Sequence, residues 1–429
     1  MNGAGGSRAR WTGKPERVGV SGGATINYKE ALAWLYSLQR FGIKLGLENI
    51  RRLERALAID VSAARIIHVA GTNGKGSVCA MINSICRDAN YGTGLFTSPH
   101  LVTFRERICV NGEMISESEV AEGLTNIRDL VRDWDPPPTF FEVTTALALK
   151  HFGDAKLDIV ILETGLGGRL DATNAFPSNV AVITPIALDH EKWLGDSLEK
   201  IAGEKAGIIR DRRPVISARQ PPEAKRVINL RTAECEALLQ IVDQPYEKSP
   251  IALRGEFQKL NAAIAIAAIR AARIGIDDAA IARGLGTVEW QARFQCWDKR
   301  TVIDGAHNPA AAKILAETWR EVFADERATL VLAVLSDKDL RKICEALAPI
   351  ADSILLPRIR TERAVDPAEL KKIFVDLGHE SEVAASFSVA LCKAHEQSAP
   401  ILITGSLHFA GEALAHLQGC PAAFEECAQ

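Results

Sequence analysis

The feature that most restricts this chain is a set of short, β-branched apolar runs separated by segments of helical periodicity. From Arg65 onward they read RIIHVA (65–70), LDIVILE (157–163), NVAVITPI (179–186) and RPVISA (213–218). Runs that stay apolar along their length belong to strands covered on both faces, which means a mostly parallel sheet with helices on either side. A second series repeats the pattern: TVIDGA (301–306), ATLVLAVL (328–335), SILL (353–356) and APILITGS (399–406). A chain of 429 residues exceeds one ordinary core. The expectation is therefore α/β, with a larger N-terminal domain over 27–292, a smaller one over 293–429, and a disordered tail over 1–26.

Helical spacing marks YKEALAWLYSLQR (28–40) and NIRRLERALAI (49–59), and NAAIAIAAIRAARI from Asn261 reads as an alanine-rich helix near the end of the first domain. The tail carries Arg8, Arg10, Lys14 and Arg17 without an apolar core, which excludes a secretory signal and leaves a transit peptide as the alternative to disorder. No apolar run approaches the roughly 20 residues that span a bilayer. A net charge of −3 argues against nucleic acid as the main partner. Nine cysteines, from Cys79 to Cys427, include no C-x-x-C pair, so reduced thiols in a cytoplasmic protein are expected rather than zinc or disulfides.

Open α/β sheets bind ligands at the carboxyl ends of their strands, so the residues just after each run carry the chemistry. After the first comes Gly71-Thr72-Asn73-Gly74-Lys75-Gly76-Ser77, which has the glycines, lysine and helix start of a phosphate cradle. Its hydroxyl stands one place later than in the common P-loop, and a tight connection is the plain alternative. Glu163 ends the next run, where a carboxylate suits a cation beside phosphates, with a surface ion pair as the competing reading. Gly165, Gly167 and Gly168 then permit a loop close to a ligand. His190 follows the third run as a second ligand candidate, although a lone histidine is more often structural. Lys205 lies in LEKIAGEKAGIIR, where most lysines are solvated.

Taken in order, VAGTNGKGS, LFTSPHL, LETGLGGRLDATN, ALDHEKWLG and EKAGI resemble the folylpolyglutamate synthase and dihydrofolate synthase family, a branch of the Mur ligase superfamily. The resemblance runs from about residue 28 to residue 412. It implies a P-loop-type first sheet and a Rossmann-like second domain. It assigns Thr72, Asn73, Gly74, Lys75, Gly76 and Ser77 to the phosphates of ATP, and adds Asn261, Arg293, Asp304 and His307 to the nucleotide site. It makes Ser98 and Glu163 ligands of one Mg²⁺, and His190 with a carbamylated Lys205 ligands of a second. The pterin would lie against Thr139, Phe140, Phe141 and Glu142 and against Leu170, Asp171 and Ala172. Asp171 would read the ring through a bidentate pair, with a loop-capping aspartate that bonds the backbone as the plain alternative. Ser406 and His408 are implied near the incoming amino acid. One departure concerns Arg293, which many relatives precede with proline and glycine where this chain has Gln291 and Ala292.

The implied activity joins L-glutamate to dihydropteroate and to reduced folates at the expense of ATP, with polyglutamylation alone as the narrower alternative. A cell-wall ligase of the same superfamily would carry a UDP-binding domain, for which residues 27–64 are too few. A nucleotide-dependent switch would have no use for Glu163, His190 and Lys205 together. A monomer is expected.

Overall fold

The computed structural model describes residues 25–41 and 46–425. The expected tail over 1–26 lies outside the described residues apart from Thr25 and Ile26. Eight strands form the first sheet: β1 (Arg65–Ala70), β2 (Thr93–Phe96), β3 (Ile108–Val110), β4 (Glu113–Met114), β5 (Ile159–Glu163), β6 (Val180–Ile183), β7 (Val215–Ala218) and β8 (Leu239–Val242). Their order is β4-β3-β2-β5-β1-β6-β7-β8. All pairings are parallel except those of the β2-β3-β4 edge. The second sheet comprises β9 (Gln295–Cys296), β10 (Thr301–Ile303), β11 (Ala328–Leu332), β12 (Ala351–Pro357), β13 (Glu382–Ala384) and β14 (Ile401–Thr404). Its order is β13-β12-β11-β14-β10-β9, parallel except for β9.

The sequence of β1 shows why it sits at the centre. Ile66 packs into one apolar layer with Phe104, Phe140 and Phe152, while Ile67 and Val69 enter the opposite layer with Val78, Ile264 and Ile281. Helices Lys75–Asp88 and Phe257–Ala271 cover that second face. His68, fully buried in the strand, shares a hydrogen bond of 2.8 Å with Thr173 Oγ1 and is pushed down to about 3 by burial, so it stays neutral. It is a core histidine.

The two sheets are not packed independently. Leu101 and Val102, in the loop after β2, belong to the apolar cluster built by Ile303, Ile403, Phe409 and Leu414 of the second sheet and its last helix. The carboxyl ends of β1, β5 and β6 thereby face those of β10, β11 and β14 across one cleft, which polar contacts span at several points (below).

Candidate active site

The turn after β1 is built by contact. Gly74 caps helix Lys75–Asp88 at φ +88°, and a side chain there would come within 2.8 Å of Asn261 Oδ1. A side chain at Gly76 would stand 2.7 Å from Trp290 Nε1. Glycine at both places lets helix Phe257–Ala271 and Trp290 close on the loop. Thr72 and Asn73 donate their amides to Pro185 O at 3.0 and 3.2 Å, and the Thr72 hydroxyl bonds both polar groups of Ala187 at 3.1 Å. Thr72 therefore anchors the loop to the segment after β6 rather than offering its amide to a phosphate. The amides of Lys75, Gly76 and Ser77 precede the first intrahelical bond, Val78 N to Gly74 O, and remain for an anion. Lys75 Nζ curls back to Gly71 O and Thr72 O at 3.1 and 3.3 Å. Ser77 and Asn261 are linked through Gln258, at 3.4 and 2.9 Å.

Glu163 ends β5 in a buried position, and its Oε2 accepts the Ser98 amide at 3.1 Å. Burial pushes its carboxyl up, opposed by Lys75, the Ser98 amide, Arg293 and Arg107. The Ser98 hydroxyl is buried without a hydrogen-bond partner among the described residues. A buried carboxylate beside an unsatisfied hydroxyl oxygen fits a hard divalent cation, which supplies the charge one lacks and the partner the other lacks. Among the described residues no group of three His, Cys, Asp or Glu could hold a metal by itself. Phosphate oxygens and solvent would have to complete the coordination.

His190 and Lys205 lie on the other side of the loop. His190 adopts φ +53° as the cap of helix Glu191–Leu194, with its amide on Asp189 Oδ1 at 2.9 Å. Burial pushes its imidazole down to about 4 against the pull of Asp189, so it is neutral and able to coordinate. Lys205 is buried, donates to Gly71 O at 2.8 Å, and is lowered to about 7 by burial and then by Lys75. A neutral amine is the form that attacks CO₂, so this buried lysine differs from the usual solvated one and a carbamate has a chemical basis.

The second sheet contributes Arg293, Asp304 and His307. Arg293 stands between two left-handed residues, Ala292 at φ +53° and Phe294 at φ +44°. Glycine would take the first conformation without strain, and Ala292 takes it fully buried. Arg293 Nη1 bonds Ala292 O at 2.9 Å, and its charge lowers Asp304, Glu163 and His307. Asp304 accepts the amides of Phe294 and Ala306 at 2.7 and 2.8 Å and is raised by burial. His307 bonds Gly305 O at 2.8 Å, and burial lowers it.

Three groups of expected substrate residues have other work. Asp171 Oδ2 accepts the amides of Gly165 and Leu166, both at 2.9 Å, while Oδ1 accepts the Thr173 amide at 3.0 Å and its hydroxyl at 2.5 Å. Those four donors fill the carboxylate's acceptor capacity, so Asp171 shapes the loop and is not free to read a ring. Thr139 and Glu142 form the capping box of helix Phe140–Asp154, and Phe140 is core. Phe141 is the one half-buried residue of the four, 5.8 Å from Phe96, and Leu170 is likewise half-buried beside buried Ala172. Ser406 caps helix Leu407–Leu417 by accepting the Phe409 amide at 3.1 Å and donates to Ala333 O at 3.3 Å. His408 packs edge-on to Phe424 at 5.0 Å.

Sequence reasoning passed over the group that joins the two sides. Asp189 Oδ1 receives Lys338 Nζ at 2.8 Å, and Oδ2 receives Asn308 Nδ2 at 3.3 Å, with His307 Nε2 at 3.7 Å. Asn308 also reaches Asn73 Oδ1 at 3.0 Å. Burial alone would raise Asp189, but His307, His190 and Lys338 hold it well below the usual carboxylate range. Signals existed: Asp189 directly precedes His190, Asn308 caps a helix with Pro309 at its first position, and Lys338 follows the β11 run.

A cleft between two α/β sheets, with a glycine-lysine loop and a carboxylate on one side and an arginine and an aspartate on the other, defines a nucleotide-dependent ligase of the Mur class. Residues 69–229 match the Mur ligase middle domain, and residues 292–407 match the Mur ligase glutamate ligase domain. Dihydrofolate synthase/folylpolyglutamate synthase of Bacillus subtilis is 35% identical over 421 residues, covering 89% of this chain and 97% of that protein. A Yersinia pestis folylpolyglutamate synthase/dihydrofolate synthase, complexed with AMPPNP and Mn ion, superposes with TM-score 0.85 at 31% identity, covering 93% and 100% of the two chains. FolC of E. coli, in complex with DHPP and ADP, superposes with TM-score 0.80 at 33% identity, covering 91% and 98%. This chain belongs to the dihydrofolate synthase/folylpolyglutamate synthase family.

Proposed function

We propose that the protein is an ATP-dependent ligase that joins the amino group of L-glutamate to the carboxylate of dihydropteroate and of reduced folates. The observation that carries this reading is the meeting of Glu163, the unpartnered Ser98 hydroxyl and the Lys75 loop on one side of a cleft with Arg293 and Asp304 on the other. A phosphate cradle and a cation site facing an arginine and an aspartate are what carboxylate activation requires. The family's ligase activity and the nucleotide- and Mn-bound relatives support it.

The acid's carboxylate oxygen attacks the γ-phosphorus of ATP and ADP leaves, giving an acyl phosphate. The glutamate amine attacks the acyl carbon and loses a proton, and phosphate departs from the tetrahedral intermediate. The amides of Lys75 to Ser77 and the Lys75 ammonium hold the phosphates, and Arg293 adds its charge where the cleft closes. Asn261, Asp304 and His307 complete the nucleotide site. Ser98 and Glu163 would hold one Mg²⁺, and His190 with Lys205 as its carbamate a second, and the bound ions neutralise phosphate charge. The Lys205 carbamate forms when the neutral amine nitrogen bonds the carbon of CO₂ and releases a proton. Phe141 and Leu170 are the remaining candidates for the pterin wall.

We divide the chain into a first domain ending near 292 and a second from 293, working as a cytoplasmic monomer. Among the described residues no helix is long and apolar enough to cross a membrane. The test is phosphate release from ATP with Mg²⁺ and L-glutamate, with and without dihydropteroate or tetrahydrofolate. Release that depends on an acid and on glutamate is expected. Release independent of both acids would overturn the reading, and release with tetrahydrofolate alone would narrow it to polyglutamylation.

A further inference from the structure

Residues 424 and 425 cross from the second sheet's last helix to the first sheet's β2 loop. Glu425 donates its amide to Val102 O at 2.8 Å. Its carboxylate accepts the Tyr28 hydroxyl at 3.1 and 3.2 Å, the Thr103 hydroxyl at 3.2 Å and the Phe104 amide at 2.5 Å. Its carbonyl oxygen meets His100 Nε2 at 3.1 Å, and Arg107 Nε donates to the other ring nitrogen at 2.8 Å. The arginine fixes the tautomer: Nδ1 accepts, so Nε2 carries the proton and donates to Glu425. Burial and the Arg107 charge keep this imidazole neutral.

These contacts converge on one ring. The Arg107 guanidinium lies 5.3 Å from the Phe140 centroid, Phe104 meets Phe140 edge-on at 6.5 Å, and Tyr36, on the helix that begins at Tyr28, stacks on it at 5.6 Å. Phe140 is followed by the half-buried Phe141. Within the loop, Glu106 already clamps the amides of Leu101, Val102 and Thr103 at 2.7 to 2.9 Å, so the loop holds its own shape. Its placement depends on what grips it from outside. Glu425 does so from one side, and helix Leu407–Leu417 from another, close enough that a side chain at Gly411 would stand 2.0 Å from Leu101 O.

We propose that Glu425 is a positioning residue for the acid substrate: the strap Phe424–Glu425 fixes the His100–Arg107 stretch and the Tyr28 helix around the core ring of Phe140, which precedes the substrate-wall candidate Phe141. The inference rests on the ligase reading above. The acid's affinity then depends on the strap more strongly than ATP binding does, because ATP is held mainly by the loop after β1 and meets the strapped loop only at its far end, Ser98.

The experiment compares wild type with Glu425→Ala, Glu425→Gln and Phe424→Ala. Expected for Glu425→Ala is a tenfold or larger rise in KM for dihydropteroate, with KM for ATP within twofold. Glu425→Gln, which still accepts hydrogen bonds, should lie between Glu425→Ala and wild type. Phe424→Ala, which keeps the carboxylate, should show the same split more weakly. Amide exchange across 97–107, measured without nucleotide, should quicken several-fold in Glu425→Ala. Equal changes in both KM values, or no change, would overturn the proposal, as would unchanged exchange. Wild type inactive on both dihydropteroate and tetrahydrofolate would remove the ligase reading instead, and the exchange measurement would still decide whether Glu425 holds the loop.

Discussion

Lys338→Met should open the cleft. Lys338 and Asp189 come from opposite sides of it, their side chains are 7% and 8% exposed, and Nζ stands 2.8 Å from Oδ1. Deleting one member of a buried pair costs about 3–5 kcal/mol, because the other charge stays desolvated. Asp189 keeps the Asn308 amide at 3.3 Å and the His190 amide at 2.9 Å, which places the cost at the low end, about 3 kcal/mol. The closed arrangement bears that cost, since an open cleft lets water reach Asp189. At 1.4 kcal/mol per decade, about 3 kcal/mol shifts the closed-to-open ratio by about a hundredfold. The assay pairs kcat/KM for ATP with small-angle scattering of the nucleotide-free protein. Expected are a fall in kcat/KM of about one to two decades and a larger radius of gyration, with the melting temperature little changed. Asp189→Asn combined with Lys338→Met should cost less than the two changes summed. A Lys338→Met enzyme within threefold of wild type, with unchanged scattering, would show that the pair does not hold the cleft.

Glu163→Gln keeps shape and deletes charge, so the Mg²⁺ concentration for half-maximal turnover should rise by at least about tenfold, read from a metal titration. Lys205, lowered to about 7, gains its neutral form as pH rises through that value. Activity should therefore climb between pH 6 and 8, and added bicarbonate should lift the acidic side most; Lys205→Ala should lose most activity while still binding nucleotide by calorimetry. Ala292→Gly relieves about 1–2 kcal/mol of left-handed strain. It forfeits about 0.8 kcal/mol of buried methyl and about 0.4–1 kcal/mol through a looser unfolded chain. Its urea midpoint should consequently stay close to wild type, while the β-branched Ala292→Val should fall clearly below it.

The strands that could be read from sequence are those whose residues have no solvent face. β1, β5, β6 and β7 and the four inner strands of the second sheet announce themselves as continuous apolar runs. β2, with the sequence TGLF, is too short and too glycine-rich to do so. The β3-β4 hairpin carries a short-range signal of its own, Asn111-Gly112 at φ +52° and +81° between short strands. At the site, the rule that ligands meet strand ends leads to Lys75, Glu163, His190 and Asp304 from one strand at a time. It cannot say that Asp189 faces Lys338 or that Glu425 reaches Tyr28, because those pairs are set by how two sheets meet. Asp171 misled for a related reason: a carboxylate on a glycine-rich loop looks the same in sequence whether its acceptors face a ligand or, as here, the loop's own amides.

Carboxylate activation by phosphoryl transfer leaves an isotopic trace in the released phosphate. Dihydropteroate carrying ¹⁸O in its carboxylate is incubated with ATP, Mg²⁺ and L-glutamate, and the released phosphate is analysed by mass spectrometry. An acyl phosphate requires one carboxylate oxygen to leave with phosphorus, so each phosphate released with product should carry one ¹⁸O. Product formed alongside unlabelled phosphate would exclude an acyl phosphate.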